Sequence, residues 1–343
     1  MGGAACPRRG DPDPHDDLAP SAVSPGERRL GAIPLDAHGV TASIDPVGAG
    51  LRCLEVNGRA LIESYGPGQA ARVGAGAPFV AGATLFPWPN RVRDGRWSWA
   101  GVEQRLVITE PERATANHGL VRDREFELLS RAPGTVVLGI EVGPDPGFPF
   151  ALSLMVTYTL LPDGLRTEYA VDNLGSEPAP FALGAHPYLR VGDAGADDLV
   201  LHIDAGTALD LDDRFLPVGR RPVRGTMEDP AGLALAGVDL NHCYGDLAPA
   251  PDGGFRHRLL GRDGAGVELR TDDRFGWVQV YTADEFQRAG GAARAVAIEP
   301  MTAPPDALNS GDGLTTLQPG ESWRAAWSLH TVAARAGSSM STA

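Results

Sequence analysis

The feature that most limits the fold of this chain is a strict alternation of residue types near its middle. From Leu152 to Leu160, every second residue is large and apolar, and the residues between are mostly smaller or polar. Successive side chains of a strand point to opposite faces of a sheet, so this period of two indicates a strand with one buried face. Pro162-Asp163-Gly164 supplies turn residues, and the alternation resumes from Leu165 to Val171. The segment therefore predicts an antiparallel β-hairpin.

The same alternation recurs elsewhere, at Val136 to Val142, Trp277 to Tyr281 and Trp327 to Val332. No segment has the period of an amphipathic helix of three turns or more. The 44 glycines and 29 prolines are spread along the chain, which favours many turns between short strands. We therefore predict an all-β fold, a large antiparallel β-sandwich with few short helices. Such a sheet can leave a concave face open to a ligand. Periodicity alone does not separate a sandwich from a barrel.

Composition divides the chain into three parts. Residues 1–34 are rich in Pro, Asp, Gly, Arg and Ser, which predicts a disordered N-terminal extension. Residues 334–343 are small and polar and predict a frayed C-terminal tail. No linker or repeat interrupts the part between, so residues 35–333 are expected to form a single β-sandwich catalytic domain.

The net charge and the search for targeting signals limit which partners and which cellular location are expected. The formal net charge is −14 and the basic residues are scattered, which argues against nucleic acid as a partner. Neither the apolar run of a signal peptide nor a membrane-spanning window is present, so a cytoplasmic protein without a membrane partner is expected. The three cysteines, Cys6, Cys53 and Cys243, have no metal-ligand spacing and are expected to be reduced thiols.

Four segments contain more polar residues than strands and turns require. They are Phe86-Pro87-Trp88-Pro89-Asn90-Arg91-Val92, Asn117-His118-Gly119-Leu120-Val121-Arg122, Gly184-Ala185-His186-Pro187-Tyr188, and the stretch from Ile298-Glu299-Pro300-Met301-Thr302 through Pro305-Asp306-Ala307 to Gly311-Asp312-Gly313-Leu314.

Taken one at a time, these segments have ordinary structural explanations. An isolated histidine such as His118 is more commonly a hydrogen-bonded structural residue than a catalyst. His186 precedes a proline, and this position can simply mark the end of a strand. Glu299 follows an apolar run, so its carboxylate needs either an arginine partner or a chemical purpose.

In this order, the four segments resemble the aldose 1-epimerase family, of the galactose mutarotase type. The resemblance runs from about Leu51 to about Leu329 and rests on the ordered set: Asn-Arg followed by a glycine, Asn-His-Gly, His-Pro-Tyr, and Glu-Pro-Met-Thr with Pro-Asp-Ala and Gly-Asp-Gly-Leu. It implies the galactose mutarotase-like supersandwich and the interconversion of the α and β anomers of a free aldose.

The resemblance also implies a role for each matched residue. Glu299 corresponds to the general base and His186 to the general acid. His118, Arg91 and, more weakly, Asn90 correspond to groups that bind the sugar. A family acidic residue that holds sugar hydroxyls is best matched by Asp239, with Asp246 as the fallback.

This chemistry requires only proton transfers. Anomers interconvert through the open-chain aldehyde, so a base near O1 and an acid near O5 are sufficient, and no cofactor is expected. We expect the nearby Glu299 to raise the pKa of His186 and to keep it protonated near neutral pH. Trp88, Tyr188 and Trp277 could stack on a sugar face, or they could pack in the core.

Three alternatives remain open at this stage. A metal site is disfavoured because the histidines lack the i, i+4 spacing of a metal-binding helix and no cysteine accompanies them. A hexose-6-phosphate mutarotase would need cations for the phosphate, for which Arg122 and Arg190 are candidates, although they form no compact basic cluster. A non-catalytic sugar-binding or sensor protein could use the same sandwich, but it would not need both Glu299 and His186.

Overall fold

The structure is a computed structural model that describes residues 31–66, 69–223, 232–288 and 290–334. Its strands, in chain order, are β1 (Ile33–Ala37), β2 (Val40–Asp45), β3 (Gly50–Val56), β4 (Arg59–Ala60), β5 (Thr84–Leu85), β6 (Arg91–Arg93), β7 (Arg96–Trp99), β8 (Val102–Arg105), β9 (Thr115–Asn117), β10 (Glu127–Ala132), β11 (Thr135–Val142), β12 (Leu152–Leu161), β13 (Gly164–Asn173), β14 (Ala179–Phe181), β15 (Gly184–Ala185), β16 (Tyr188–Leu189), β17 (Val200–Ile203), β18 (Ala205–Leu211), β19 (Pro217–Pro222), β20 (Leu233–Ala234), β21 (Asn241–Leu247), β22 (Phe255–Leu260), β23 (Gly266–Thr271), β24 (Trp277–Arg288), β25 (Gly291–Met301), β26 (Thr315–Leu317) and β27 (Ser322–Val332).

Two large antiparallel sheets contain most of these strands. One has nine strands in the order β10-β11-β12-β13-β27-β23-β22-β17-β20. The other has eight, in the order β19-β18-β21-β24-β25-β15-β5, with β16 also paired to β25. A four-stranded sheet, β1-β2-β3-β4, and three two-stranded ribbons, β14-β26, β6-β9 and β7-β8, complete the described strands.

The predicted hairpin is confirmed. Leu152 pairs with Asn173 at one end of the hairpin, and Leu161 pairs with Gly164 beside the turn. The side chains that alternate along β12 are buried on one face, as the period of two required. Each such apolar side chain contributes roughly 1.5–3 kcal/mol when it is removed from water. The other predicted strands lie within β11, β24 and β27.

The two large sheets share one apolar core. Leu154 and Val156 of β12 belong to the same buried cluster as Val280 of β24 and Ile298 of β25. The molecule is therefore a β-sandwich, which resolves the choice that periodicity left open. The core places β25, the central strand for the site described below, between β24 on one side and β15 and β16 on the other.

Helices are short, as predicted. Within the described residues the only α-helix is α1, at Ala307–Ser310, and three-residue 3₁₀ turns occur at Pro78–Val80, Pro111–Arg113 and Ala196–Asp198. No helix in this part of the chain is long and apolar enough to cross a membrane. The first strand among the described residues, β1, begins at Ile33, two residues before the expected domain boundary at residue 35. Residues 1–30 and 335–343 of the predicted extension and tail lie outside the described residues.

The cysteines differ from expectation. Cys53 is disulfide-bonded, so the prediction of three reduced thiols is wrong for this residue. Cys243 is a free, buried thiol. Cys6 lies outside the described residues.

Candidate active site

A pocket of 240 Å³, lined by both polar and apolar side chains, lies against the eight-stranded sheet. Strands β24 and β25 and the segments around residues 79, 90, 113, 186 and 215 contribute its walls. Its lining residues are Phe79, Val80, Asn90, Arg91, Glu110, Arg113, Asn117, His118, His186, Tyr188, Phe215, Asn241, Gln279, Tyr281 and Glu299.

Glu299 lies within β25, where its backbone is fixed by neighbouring strands. It pairs in register with Gln279 of β24, and its side chain is 2% exposed. One of its carboxylate oxygens, Oε2, has no hydrogen-bond partner among the described residues. A buried oxygen in this state calls for an explanation, and a bound ligand that supplies the missing partner is one.

His186 faces Glu299 from the short connection between β15 and β16. Its backbone is held on both sides, because its N–H donates to the Ala83 carbonyl (3.1 Å) and its carbonyl accepts from the Gly82 N–H (2.9 Å). Its Nε2 lies 3.5 Å from Glu299 Oε1. A separation slightly longer than a normal hydrogen bond is common for catalytic pairs without a ligand. The His186 ring stacks on Tyr188, with 5.2 Å between the ring centroids.

Burial determines the protonation states of Glu299 and His186. It raises the pKa of Glu299 to about 8, against a smaller lowering effect of Arg91. It lowers the pKa of His186 to about 4. The expectation that Glu299 raises the pKa of His186 is therefore wrong. The reason is that desolvation disfavours both charges, and a protonated Glu299 offers no negative charge to the imidazole. At neutral pH the pair holds one proton.

His118 lies beside the same pair in the pocket. Its ring lies edge-on to His186, with 5.4 Å between centroids. The Asn90 N–H donates to His118 Nδ1 (3.2 Å), which leaves Nε2–H as the donor of a neutral imidazole. Burial, reinforced by His186 and Arg91, holds the pKa of His118 well below its usual range, so this neutral form persists at neutral pH.

The glycine of the Asn-His-Gly segment is required by packing. Gly119 has a φ of +73°, and a Cβ atom there would lie 2.2 Å from the Phe86 carbonyl oxygen. The segment that contains Asn90 and the segment that contains His118 therefore approach so closely at Gly119 that no side chain fits there. Gly119 directly follows His118, so this close approach fixes the backbone from which the His118 side chain enters the pocket.

Arg91 lies in the pocket wall and forms a bidentate ion pair with Glu110. Its Nε donates to Glu110 Oε2 (2.7 Å) and its Nη2 donates to Oε1 (2.9 Å). Thr115 Oγ1 also donates to Oε2 (2.8 Å), and Arg113 Nη1 donates to Oε1 (3.0 Å). Burial would raise the pKa of Glu110, but the hydrogen bonds from Arg91 and Thr115 outweigh it and the pKa lies below its usual range.

A chain of amide groups crosses the sheet side of the pocket. Asn90 Nδ2 donates to Gln279 Oε1 (3.3 Å), and Gln279 Nε2 donates to Asn241 Oδ1 (2.7 Å). Each amide orients the next, so the three side chains present a fixed set of donors and acceptors to a ligand.

Several pocket residues have backbone in the left-handed region. They are Phe79, Val80, Asn90, His118 and Phe215, with φ between 54° and 63°. Such a conformation is uncommon for residues other than glycine, although Asn and His adopt it more readily than most, and it is especially unfavourable for the β-branched Val80. The surrounding structure must hold these residues in place, and it thereby fixes the backbone of the pocket wall.

The structure brings most of the predicted site residues together. Glu299, His186, His118, Arg91 and Asn90 all line the pocket, although they are far apart in sequence. The catalytic and binding roles implied for them remain predictions.

Asp239 requires a correction. Its side chain is 82% exposed and pairs with Arg294 at 3.0 Å on the surface, and it does not line the pocket. The fallback, Asp246, is also exposed and outside the pocket. The physical reason is that Asp239 lies just before β21, whereas the first residue of that strand, Asn241, reaches the pocket.

Of the aromatic and cationic residues considered as sugar or phosphate contacts, some line the pocket and others do not. Trp88 packs against Phe148 in the core, and Trp277 lies under Arg220 outside the pocket, whereas Tyr188 lines the pocket beneath His186. Neither Arg122 nor Arg190 lines the pocket. No group of His, Cys, Asp or Glu side chains among the described residues is arranged to hold a metal ion.

Eight lining residues were missed by the sequence analysis: Phe79, Val80, Glu110, Arg113, Phe215, Asn241, Gln279 and Tyr281. Gln279 and Tyr281 alternate along β24, a segment recognised only as a strand. A polar residue on an alternating strand within a buried sheet is the signal that could have identified Gln279, which is 3% exposed.

Fold and site together define a galactose mutarotase-like β-sandwich protein with a buried carboxyl–imidazole pair in a pocket. The chain belongs to the aldose 1-epimerase family, whose model matches residues 32–330.

Individual proteins are similar to this chain in sequence or in fold. The chain is 29% identical over 301 residues to the uncharacterized protein YihR of Escherichia coli (strain K12), an alignment that covers 87% of this chain and 92% of YihR. Its fold is similar to that of a galactose mutarotase-like protein of Clostridium acetobutylicum, with a TM-score of 0.76, 19% identity, and coverage of 88% and 95% of the two chains. It is also similar in fold to galactose 1-epimerase of Lactobacillus acidophilus, with a TM-score of 0.69, 19% identity, and coverage of 89% and 95%.

Proposed function

We propose that this protein is an aldose 1-epimerase that interconverts the α and β anomers of a free aldose without a cofactor. The observation that carries the proposal is the buried pair of Glu299 and His186, 3.5 Å apart, in a pocket that also contains several hydrogen-bonding side chains. Family membership supports the same reaction class.

In the proposed reaction, Glu299 is the general base and His186 is the general acid. Glu299 removes the proton from the anomeric hydroxyl O1 while His186 donates a proton to the ring oxygen O5. The C1–O5 bond breaks and leaves an aldehyde at C1. Rotation about C1–C2 presents the other carbonyl face, and the two transfers then run in reverse. The protein regains its original protons, so no co-reactant is consumed.

The single proton of the pair is sufficient for this cycle. The form with protonated Glu299 and neutral His186 contains as many protons as the reactive form with a carboxylate and an imidazolium. A sugar hydroxyl that donates to the carboxylate and a ring oxygen that accepts from the imidazolium favour the reactive form once substrate is bound. Substrate binding therefore shifts the proton from Glu299 to His186 without exchange with solvent.

The other pocket groups fit the recognition of hydroxyls. His118 offers a neutral N–H donor, Arg91 offers guanidinium donors, and the amide chain of Asn90, Gln279 and Asn241 offers both donors and acceptors. The pocket volume of 240 Å³ is below the ~300–1,000 Å³ typical of sites for drug-sized ligands, which favours a ligand as small as a monosaccharide.

A phosphorylated sugar is less well supported. Arg190 lies in a separate groove, where it is 3.8 Å from the buried Glu63. The two arginines that line the pocket, Arg91 and Arg113, are both bonded to Glu110. A non-catalytic sugar-binding protein would leave the desolvated Glu299–His186 pair without a purpose.

The test is the optical rotation of freshly dissolved α-D-glucose or α-D-galactose, followed to equilibrium with and without the protein and with no added cofactor. We expect clear acceleration with at least one of these sugars. No acceleration with either, together with acceleration of α-D-glucose 6-phosphate, would replace the proposal with a sugar-phosphate mutarotase. Binding of a sugar without acceleration would identify a sensor.

A further inference from the structure

A compact cluster of two arginines, a glutamate and a phenylalanine forms one wall of the pocket. We call Arg91, Glu110, Arg113 and Phe215 the arginine clamp. The guanidinium carbons of Arg91 and Arg113 lie 5.1 and 4.8 Å from the centroid of the Phe215 ring. Glu110 bonds both guanidinium groups. The carboxylate and the ring thus hold both cations.

The loop that carries Phe215 is fixed to the same wall. Arg214 donates to the carbonyls of Arg113 (2.7 Å) and Ala114 (3.0 Å), which joins the loop to the turn that follows Glu110. Asp212 Oδ1 accepts from the N–H groups of Arg214 and Leu216, both at 2.9 Å. These bonds enforce the left-handed φ of 59° at Phe215 and place its ring against Arg91.

The geometry of Arg91 shows what Glu110 controls. The Nε and Nη2 atoms form one edge of the guanidinium, and both donate to Glu110. The remaining nitrogen, Nη1, is 3.4 Å from Asn90 Oδ1, a long contact that a better acceptor can replace. Because the guanidinium is planar, fixing one edge fixes the direction of the N–H groups on the other.

We propose that Glu110 is a positioning residue for substrate binding: it holds Arg91 by one edge, so that Nη1 on the other edge can exchange its long contact with Asn90 for a bond to a sugar hydroxyl in the pocket. This inference rests on the proposed function. Glu110 acts through Arg91 and makes no bond to the reacting atoms, so its loss weakens substrate binding and leaves the chemical step almost unchanged.

Glu112 provides a matched control in the same turn. It also bonds Arg113, at 3.1 Å, but its side chain is 65% exposed and it has no bond to Arg91. Glu110→Gln and Glu112→Gln therefore remove the same charge within two residues of one another, and only the first removes the bidentate contact to Arg91.

The experiment measures KM and kcat for the favoured aldose with the wild type, Glu110→Gln, Glu112→Gln, Arg91→Ala and the double variant Glu110→Gln/Arg91→Ala. Loss of a charge-assisted bond predicts a rise in KM of about 10-fold or more for Glu110→Gln, with kcat within about 3-fold of the wild type. Glu112→Gln should match the wild type. In the Arg91→Ala background, Glu110→Gln should add less than about 2-fold, because its route of action is already lost.

The outcomes separate this inference from the function itself. A wild type that accelerates mutarotation, with Glu110→Gln indistinguishable from Glu112→Gln or fully additive with Arg91→Ala, overturns the inference and leaves the function intact. A wild type that neither binds nor converts D-glucose or D-galactose overturns both. Calorimetric titration with D-galactose gives the same comparison as dissociation constants when turnover is absent.

Folding is checked independently. If circular dichroism shows that Glu110→Gln is unfolded, Glu110→Asp replaces it, since a shorter carboxylate keeps the charge but cannot reach both guanidinium groups. We expect an intermediate rise in KM for this variant, and an unchanged KM would contradict the positioning role.

Discussion

Asn90 and His118 bond to each other through a reciprocal pair of contacts. The His118 N–H donates to the Asn90 carbonyl (2.9 Å), and the Asn90 N–H donates to His118 Nδ1 (3.2 Å). Both residues have left-handed backbone, with φ of 58° and 63°. One exchange of hydrogen bonds thus fixes the conformations of two loops and the tautomer of a pocket imidazole.

The first prediction concerns the glycine that permits this exchange. Gly119→Ala should prevent folding or reduce the free energy of unfolding by roughly 3 kcal/mol or more, because the new Cβ meets the Phe86 carbonyl oxygen at 2.2 Å. Gly101 is the control, since it has a similar φ of +80° but only open space within 4 Å of the point that a Cβ would occupy. Gly101→Ala should cost only the backbone strain of about 1–2 kcal/mol. Urea denaturation compares the two, and equal losses would contradict the argument from close packing.

The second prediction concerns the acid and the base. Glu299→Gln and His186→Asn should each lower kcat by about 10²–10⁴-fold, because each removes one positioned proton-transfer group. Polarimetry measures the loss, and circular dichroism verifies that the variants are folded. Near-normal turnover in either folded variant would remove that residue from its proposed role.

The third prediction is a bell-shaped dependence of kcat/KM on pH. Below about pH 4, His186 is protonated as well as Glu299, and the base is lost. Above about pH 8, Glu299 is deprotonated while His186 is neutral, and the acid is lost. Activity should be highest between these values, where the pair holds one proton. A single limb near pH 6.5 would instead indicate an ordinary histidine that titrates independently.

The fourth prediction follows from the same burial but concerns stability. Glu299 has an ordinary pKa of 4.5 in the unfolded chain and about 8 in the folded protein. Between these pH values the folded protein keeps a proton that the unfolded chain has lost, so the contribution of Glu299 to stability falls as pH rises.

Glu299→Gln lacks this titration. Relative to the wild type, its melting temperature should therefore rise as the pH increases from about 4.5 to about 8. The corresponding change in the free energy of unfolding is up to a few kcal/mol. Calorimetric melting curves at several pH values test this. A constant difference between the two proteins across that range would show that Glu299 is not held protonated.

The fifth prediction separates Asp239 from Asn241. Asp239→Asn should leave KM within about 2-fold of the wild type, because an exposed ion pair such as Asp239–Arg294 contributes little. Asn241→Ala should raise KM several-fold, since it removes the end of the amide chain that begins at Asn90. Steady-state polarimetry measures both values. A larger effect at Asp239 than at Asn241 would restore Asp239 as the sugar-binding residue.

Sequence patterns predicted the strands well because alternation reports directly on which face of a sheet is buried. They also identified Glu299, His186, His118, Arg91 and Asn90, whose segments resemble a known family. Residues that reach the pocket only because distant strands pair could not be predicted from these patterns.

Glu110 illustrates the limit. It lies in a charged turn, Glu110-Pro111-Glu112-Arg113, that is typical of a solvated surface. Its burial depends on the pairing of β6 with β9, which brings Arg91 opposite Asn117. The shift in the pKa of His186 was predicted in the wrong direction for a related reason. The largest cause of this shift is desolvation, which depends on how deeply the folded protein buries the side chain, and the sequence does not reveal that depth.

The left-handed residues around the pocket have an evolutionary consequence. Replacement of Phe79, Val80, Asn90, His118 or Phe215 by glycine would relieve backbone strain, and selection for stability alone would favour such changes. All five side chains line the pocket, so each such replacement would also remove a group from its wall. Variants selected only for heat resistance should therefore accumulate changes at these positions and lose pocket side chains as they do so.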